Sequence, residues 1–273
     1  GRIDGITAGV QENDTILYKY PTYNGNQFEV TFVDRTIPRG IKVVLFVHDY
    51  EHLRYGVNPG FDEIEHLNKV TLLVVPTARM REQMRLDGVK TPIVLQYCWD
   101  YLTDEPLPTE LPARQVMIAG TFLKSNLLSS WQEEIPLIAF GPNSTDQVPA
   151  PNVDYRGGFA YDDLVKILPN CFGLAWDTGE HFGNYTRYNN PFKVAMYLAL
   201  GRPVIVWRKA AIAKLITENG LGYAVDSLAE IAPILAEITD LELAELQQRV
   251  RKFSTLLRHG YFGRRLLVEV EQQ

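Results

Sequence analysis

The sequence predicts an α/β protein with parallel sheets, arranged as two units joined near residue 105. Short, near-continuous apolar runs of strand length recur along the chain, as in sheets covered on both faces. Amphipathic stretches separate those runs, the alternation that gives crossover helices. Residues 101–114, YLTDEPLPTELPAR, carry three prolines without an apolar period and read as a linker.

In the first unit, Thr15–Tyr20 is a strand stopped by Pro21 and the polar turn Thr22-Tyr23-Asn24-Gly25. Lys42–Val47 ends at His48-Asp49, Thr71–Val75 at Pro76, and Pro92–Gln96 at Tyr97-Cys98-Trp99-Asp100. Helices are expected over Gly60–Asn68 and Ala78–Leu86, the second reaching Gly88 as a C-cap. In the second unit, strands are expected over Gln115–Ala119, Ile135–Phe140, Val153–Arg156, Cys171–Trp176, Pro203–Trp207 and Gly222–Val225. The first unit thus has fewer strands than the second, and a chain that opens at Gly1 reads as a fragment. A long helix over Leu241–Arg258 places Leu243, Leu246, Val250, Phe253 and Leu257 on one stripe, with Gly260 as its stop.

Composition narrows the function classes. A length of 273 residues suits one large or two medium domains. Hydrophobic residues make up 46% and charged residues 22%, the usage of a globular protein, not of a disordered, collagen-like or coiled-coil chain. Acidic residues outnumber basic ones, 33 to 27, for a formal charge of −6. That balance argues against nonspecific nucleic-acid binding, which needs clustered Lys and Arg, while allowing a local basic pocket. Cys98 and Cys171 are too few for a disulfide framework or a four-cysteine metal site and suit a reducing cytosol. No apolar run approaches the roughly 18–20 residues that span a bilayer, and nothing at the start reads as a signal peptide.

The densest chemistry lies in Trp176–Lys193, WDTGEHFGNYTRYNNPFK. This stretch leaves the apolar run CFGLAW and so begins at the C-terminal end of an expected strand, where open α/β sheets bind ligands. It then enters a helix. Asn190 has an N-capping side chain, Pro191 suits the first helical position, and Val194, Tyr197 and Leu198 form an apolar face before Gly201 as C-cap. A helix start offers unpaired N–H groups and the positive end of the dipole, which together attract phosphate. Lys193 in that first turn is unfavourable for the helix and calls for an anionic partner; the plainer alternative is a capped helix with a solvated lysine. His48, Asp49, Glu51 and His52 are metal-ligand residue types, but the first ends a strand and no third ligand is defined, so no metal is expected. There is no Gly-x-Gly-x-x-Gly, Walker or Gly-x-Ser-x-Gly sequence, and NAD, ATP and hydrolase chemistry lack support.

NPFK at 190–193 followed by YLALGRPVIVWRKAAIAKLITENGLG at 197–222 resembles the donor half of a GT-B glycosyltransferase. With YPTYNG at 20–25, FVHDYEHLRYG at 46–56, VVPTARM at 74–80 and AGTFLKS at 119–125, nearly the whole chain is similar to the bacterial Gtf3-like sugar transferases. Those act on adhesin and exopolysaccharide glycans, and some relatives are galactofuranosyltransferases. The resemblance implies two Rossmann-like domains facing across a cleft. Residues 1–105 would form the acceptor-side domain, incomplete because the family normally begins with about two more βα elements bearing a Gly/Ser-rich loop. Residues 106–258 would bind the nucleotide-sugar, and 259–273 would form a closing segment that packs back on the first domain.

The same resemblance implies a UDP-sugar donor, no cofactor and no metal. Lys193, the N–H groups after Asn190, and Arg187 would hold the pyrophosphate. Gly120 and Thr121 would let the backbone approach the donor, with Lys124 and Ser125 near phosphate. Tyr155, with Phe140, Gly141, Arg156 and Gly157, would stand where a uracil stacks. Asp177 would meet sugar or ribose hydroxyls, and Tyr185 and Tyr188 would close over the donor, with Asn189 and His181 in the same loop. Tyr23 and Asn24 belong to the acceptor wall. An inverting transfer needs a base for the acceptor proton, with Asp49 the first candidate, His48 the second and Asp100 the third. The expected activity is hexose transfer, glucose before galactose or galactofuranose, to a glycan hydroxyl on a protein or lipid carrier in the cytoplasm. Peripheral membrane association and a homo-oligomer are compatible with it. The alternative is a non-catalytic GT-B-like module that binds a glycan or a partner.

Overall fold

Parallel pairing organises the chain. The computed structural model describes residues 1–273 apart from Lys124, Thr145 and Gly179 and the side chains of Glu180, His181 and Phe182. One unit comprises Gly1–Tyr97 together with Arg264–Gln273, and the other Cys98–Gly263.

In the first unit, β1 (Thr15–Tyr20), β2 (Lys42–Val47), β3 (Leu72–Val75) and β4 (Ile93–Leu95) form a sheet in that order, parallel throughout. Between them run α1 (Arg2–Ile6), α2 (Asn26–Thr36), α3 (Glu51–Tyr55), α4 (Glu63–Leu67) and α5 (Ala78–Leu86). Every residue of β3 is buried, the pattern of a strand covered on both faces. The helix expected over Gly60–Asn68 is shorter, because Asp62 caps it by accepting from the Glu65 N–H at 2.9 Å. Thr77 caps α5 in the same way through the Met80 N–H.

The second unit carries β5 (Ala113–Ala119), β6 (Leu137–Phe140), β7 (Val153–Tyr155), β8 (Cys171–Ala175), β9 (Val204–Trp207) and β10 (Gly222–Val225). Their order is β10-β9-β8-β5-β6-β7, again all parallel. The chain builds outward from β5 through β6 to β7, then restarts at β8 on the other side of β5. Strand order therefore reverses between β5 and β8, a topological switch point where doubly wound sheets bind ligands. The helices are α6 (Leu127–Ser130), α7 (Tyr161–Ile167), α8 (Glu180–Tyr185), α9 (Phe192–Ala199), α10 (Ala213–Glu218), α11 (Ile231–Glu237), α12 (Asp240–Arg258) and α13 (Tyr261–Glu271). The stripe read on α12 is buried at Leu243, Leu246, Val250, Phe253 and Leu257, and α12 packs on α9.

Two segments differ from the sequence expectation. Residues 101–112 have no regular structure, as their prolines dictate, yet they belong to the second unit rather than hanging between units. Proline-rich backbone has carbonyls to satisfy, and α12 supplies donors: Arg251 to the Pro108 carbonyl and Gln247 to that of Glu110. Residues 259–273 were expected as a closing segment that packs back on the first domain, but not as a helix, and α13 supplies that helix. Its residues from Arg264 belong to the first unit, where Leu266 packs with Val44, Leu72 and Val74.

The seat of α9 is set by one glycine. Tyr197 is fully buried, and its ring fills the space where Gly173 on β8 has no side chain. A β-carbon on Gly173 would lie 2.3 Å from the Tyr197 ring. The Tyr197 hydroxyl accepts from the Ala119 N–H at 2.6 Å, tying α9 to the end of β5. Gly173→Ala should therefore destabilise the fold by about 1–3 kcal/mol, the usual cost of overpacking, read as a lower urea midpoint. Tyr197→Ala in the Gly173→Ala background should relieve the clash, leaving a coupling energy in the double-mutant cycle.

Candidate active site

In the second unit, the C-terminal ends of β5 and β8 and the start of α9 converge. Gly120 follows β5, and a β-carbon there would lie 3.4 Å from Lys193 Nζ and 3.6 Å from its Cε. The lysine thus lies over the strand end at ordinary packing distance. Lys193 Nζ also stands 3.8 Å from Asp177 Oδ1, both partly exposed. The next glycine along the sheet is far more constrained. Gly141 has φ +141°, and a β-carbon there would lie 1.6 Å from the Gly120 carbonyl oxygen. The Tyr155 hydroxyl donates to the Gly141 carbonyl at 2.8 Å, so this tyrosine braces the strand-end loop.

α9 begins later than expected. Its N-cap is Pro191, not Asn190, and no side chain caps it. Asn190 is instead buried, and its carbonyl accepts from Trp99 Nε1 at 2.6 Å. That bond fixes the backbone just before the helix and leaves the first-turn N–H groups of α9 without a side-chain acceptor. The turn holds no acidic residue and one lysine. An uncapped helix start with a cation beside it is an anion site by both dipole and hydrogen-bonding arguments.

The preceding loop is sorted by burial. Tyr185 is 4% exposed and Thr186 6%, so these two are packing residues, and Thr186 donates to the Gly183 carbonyl at 2.6 Å. The Arg187 guanidinium lies 4.8 Å from the Trp207 ring centroid, a cation–π contact. Arg187 Nε and Asn189 Oδ1 are buried without a hydrogen-bond partner among the described residues. Tyr188 is half-buried, and Thr121 is exposed. A pocket of about 280 Å³ opens here, lined by Trp176, Asp177, Asn184, Thr186 and Trp207 among others. Ser125 Oγ lies 2.9 Å from Thr178 Oγ1; Lys124 and the side chain of His181 lie outside the described residues.

In the first unit, Asp49 sits beyond the end of β2. It accepts from the Tyr23 hydroxyl at 2.7 Å and pairs with Arg54 Nη1 at 3.0 Å. Arg54 also donates to the Tyr23 hydroxyl at 3.3 Å. Tyr23 has φ +60°, a strained position for a tyrosine, and it is 63% exposed. Asn24 is exposed, its N–H donating to Thr22 Oγ1 at 3.3 Å. His48 is half-buried, and burial with Lys19 nearby pushes its imidazole below the ordinary range, against the pull of Asp49. Asp100, the third base candidate, has another task. Its carboxylate accepts from the Phe262 and Gly263 N–H groups and so caps α13. Among the described residues, no cluster of His, Cys, Asp or Glu is arranged to hold a metal.

Two buried carboxylates behind Asp49 had no sequence signal. Glu29 accepts from the Tyr18 hydroxyl at 2.6 Å and from the Thr22 N–H and hydroxyl at 2.7 and 2.6 Å. Glu63 accepts from the Tyr20 hydroxyl at 2.9 Å and from the Glu51 and His52 N–H groups at 3.2 and 2.5 Å. Both line a pocket of about 670 Å³ with Tyr20, Tyr23, Tyr55 and Phe61. Glutamates in short helices read as solvated, and only their distance-spanning hydrogen bonds reveal otherwise.

Two parallel α/β units in one chain, the second with an uncapped helix start at its switch point, are the architecture of GT-B glycosyltransferases. Comparison with known proteins narrows this. The N-terminal and C-terminal domains described as Glucosyltransferase 3-like match residues 1–98 and 116–270. The chain belongs to that family of glycosyltransferases. It is 33% identical over 275 residues to Glucosyltransferase 3 of Streptococcus gordonii, covering 98% of this chain and 82% of the relative. It is 26% identical over 281 residues to the β-1,6-galactofuranosyltransferase WbbI of Escherichia coli K12, with the same coverage. The structure of Anabaena Alr3699/HepE in complex with UDP and glucose has the same fold, with a TM-score of 0.61 at 15% identity over 99% of this chain and 81% of that one. Among the described residues no helix is long and apolar enough to cross a membrane.

Burial pushes the Glu63 carboxyl up to about 7 from 4.5, outweighing the three hydrogen bonds that favour its ionised form. Between those values the folded chain keeps a proton that the unfolded chain has lost, so this group's contribution to stability falls as pH rises through the window. At 1.36 kcal/mol per unit the loss is on the order of 3 kcal/mol. Glu63→Gln should flatten the curve of urea stability against pH between about 4.5 and 7 relative to wild type; parallel curves would contradict the assignment.

Proposed function

We propose that this glycosyltransferase moves a hexose from a UDP-sugar to a hydroxyl of a glycan acceptor, without a metal ion. The observation that carries the proposal is the uncapped start of α9 with Lys193 held over Gly120. A diphosphate docked there would accept hydrogen bonds from the first-turn N–H groups and charge from Lys193, which competes well with the long Asp177 pair. The same groups stabilise the negative charge that grows on UDP as its bond to the sugar C1 breaks, which supplies by protein dipole what a divalent cation supplies elsewhere. Asp177 and the pocket beside Trp207 offer acceptors and an aromatic face for sugar or ribose. Glucose is the first donor, in keeping with the name of the Streptococcus gordonii relative, and galactose or galactofuranose the next.

The first unit provides the acceptor chemistry. The Asp49 carboxylate takes the proton of the attacking hydroxyl as the acceptor oxygen bonds to C1 and UDP departs. Arg54 orients that carboxylate, and His48 beside it, its imidazole pushed below the ordinary range by burial, is the second candidate. The pocket of Tyr23, Tyr55 and Phe61 with its carboxylates suits a hydroxyl-rich acceptor, since aromatic faces stack on sugar C–H groups and carboxylates accept from O–H. A glycan on a protein or lipid carrier meets that description, and the two free, buried cysteines suit a cytoplasmic setting.

Thermal-shift and calorimetric titration with UDP, UDP-glucose, UDP-galactose, UDP-GlcNAc, GDP and ADP, with and without EDTA, tests the donor side. A UDP-selective shift that survives EDTA is expected, about 2.7 kcal/mol of stabilisation at 100 times the dissociation constant. Lys193→Ala should cost at least the roughly 1–3 kcal/mol of a charged hydrogen bond, and unchanged UDP affinity in that variant would remove the phosphate assignment. On the acceptor side, Asp49→Asn should lower kcat by about 10²–10⁴-fold with UDP affinity intact.

A further inference from the structure

We propose that Glu63 is the positioning residue of the proton-accepting group: its buried carboxylate fixes α3, and α3 fixes Arg54 against Asp49. The inference rests on Asp49 being the base. Its evidence is a continuous set of contacts. Glu63 is 5% exposed and spends both oxygens on three donors, the Tyr20 hydroxyl from β1 and the first two N–H groups of α3. α3 has five residues and no side-chain cap of its own at Tyr50, so an isolated helix of this length would not hold its shape. Glu63 supplies the missing acceptors at its N-terminus, where a negative charge is most favourable. Arg54 lies in the last turn of that helix and reaches Asp49, the Tyr23 hydroxyl and Glu51 at 3.0, 3.3 and 3.4 Å.

The consequence is a base whose orientation depends on Glu63 through α3 and Arg54, without a direct contact between the two carboxylates. An ionised Glu63 has acceptors for all three donors. A protonated one turns an O–H into that space, where the α3 N–H groups cannot accept it, so one of the groups facing it must rearrange. Those groups are Tyr20 from β1, Tyr50 before α3, Glu51 and His52 on α3, Asp62 beside it and Glu29 on α2. The Glu63 proton is taken up near pH 7, so loss of the ionised form would loosen α3, and with it Arg54 and Asp49, within an ordinary working range. A displacement of about 1 Å in a catalytic group can slow a reaction by about a hundredfold.

The test compares wild type, Glu63→Gln, Tyr20→Phe and Asp49→Asn. UDP release is followed from whichever UDP-sugar gives the largest thermal shift, with p-nitrophenyl glycosides as acceptors, across pH 5–9. Wild-type kcat should fall as pH drops through about 7. Glu63→Gln should lower kcat about tenfold to a hundredfold with unchanged UDP affinity, and its profile should lose the step near pH 7. Tyr20→Phe removes a donor that favours the ionised carboxylate, so its step should move to higher pH. Full turnover in Asp49→Asn overturns the base assignment and the inference with it. An inactive Asp49→Asn beside a Glu63→Gln of wild-type kcat overturns the inference alone. A slower Glu63→Gln that keeps the wild-type pH profile marks a merely structural role and overturns it too. Should Glu63→Gln not fold, an unmoved step in Tyr20→Phe decides against the proposal.

Discussion

The absence of a side chain at Gly173 is the constraint from which the donor-side geometry follows. A β8 strand with any Cβ there would push the Tyr197 ring away by more than an ångström of overlap. With the ring seated, its hydroxyl reaches the Ala119 N–H and locks α9 to the end of β5. That lock sets the height of the first turn of α9 above the sheet, and the height brings Lys193 over Gly120. Trp99 then holds the Asn190 carbonyl and fixes where the helix begins. A chain of close packings, each permitted by a missing atom or anchored by one hydrogen bond, ends in a cation at a helix start. Cores are dense enough that such placement is transmitted rather than absorbed.

Much of the architecture was legible because its signal is local. Each expected strand exists, since a run such as VVLFV buried on both faces has no other stable use in a parallel sheet. The stripe on α12 was legible for the same reason. The strand order was not, and with it the switch point, because the reversal between β5 and β8 depends on which strands pair across long separations. α13 was missed because YFGRRLLVEVE looks like a charged tail until Leu266 meets the core of the first unit and Asp100 caps its start.

The candidate site was legible in part. Asp177, Gly120 and Asp49 stood out because each follows an apolar run, and strand ends are where doubly wound sheets act; Lys193 stood out as a cation in the first turn of a helix, and the structure places it beside Asp177 and Gly120. Asn190 misled for a physical reason: its side chain suits a cap, yet the backbone begins the helix at Phe192 and spends the Asn190 carbonyl on Trp99. Tyr185 was an aromatic in a polar loop, and only packing shows it buried. Arg54 lay in a quoted motif without a role, and Glu29 and Glu63 had no signal, because a glutamate's burial is decided by donors that lie up to 43 positions away along the chain.

Both units are all-parallel α/β sheets of different strand order, and they differ in who consumes the helix-start N–H groups. In the first unit, the chain's own oxygens take them: Glu63 at α3, Asp62 at α4 and Thr77 at α5. α2 starts without a side-chain cap but carries Glu29 in its first turn. A phosphate approaching any of these starts would meet an acceptor or a like charge in place of a donor. In the second unit, α9 keeps its N–H groups, has no acid in its first turn and adds Lys193. Identical backbone dipoles are therefore left open beside a lysine in one unit, and in the other are met by the chain's own oxygens beside a carboxylate-lined, aromatic pocket. That difference needs no change of fold, only a few side chains at strand ends. Parallel α/β units thus carry an open, lysine-flanked helix start in one case and acceptor-capped helix starts in the other.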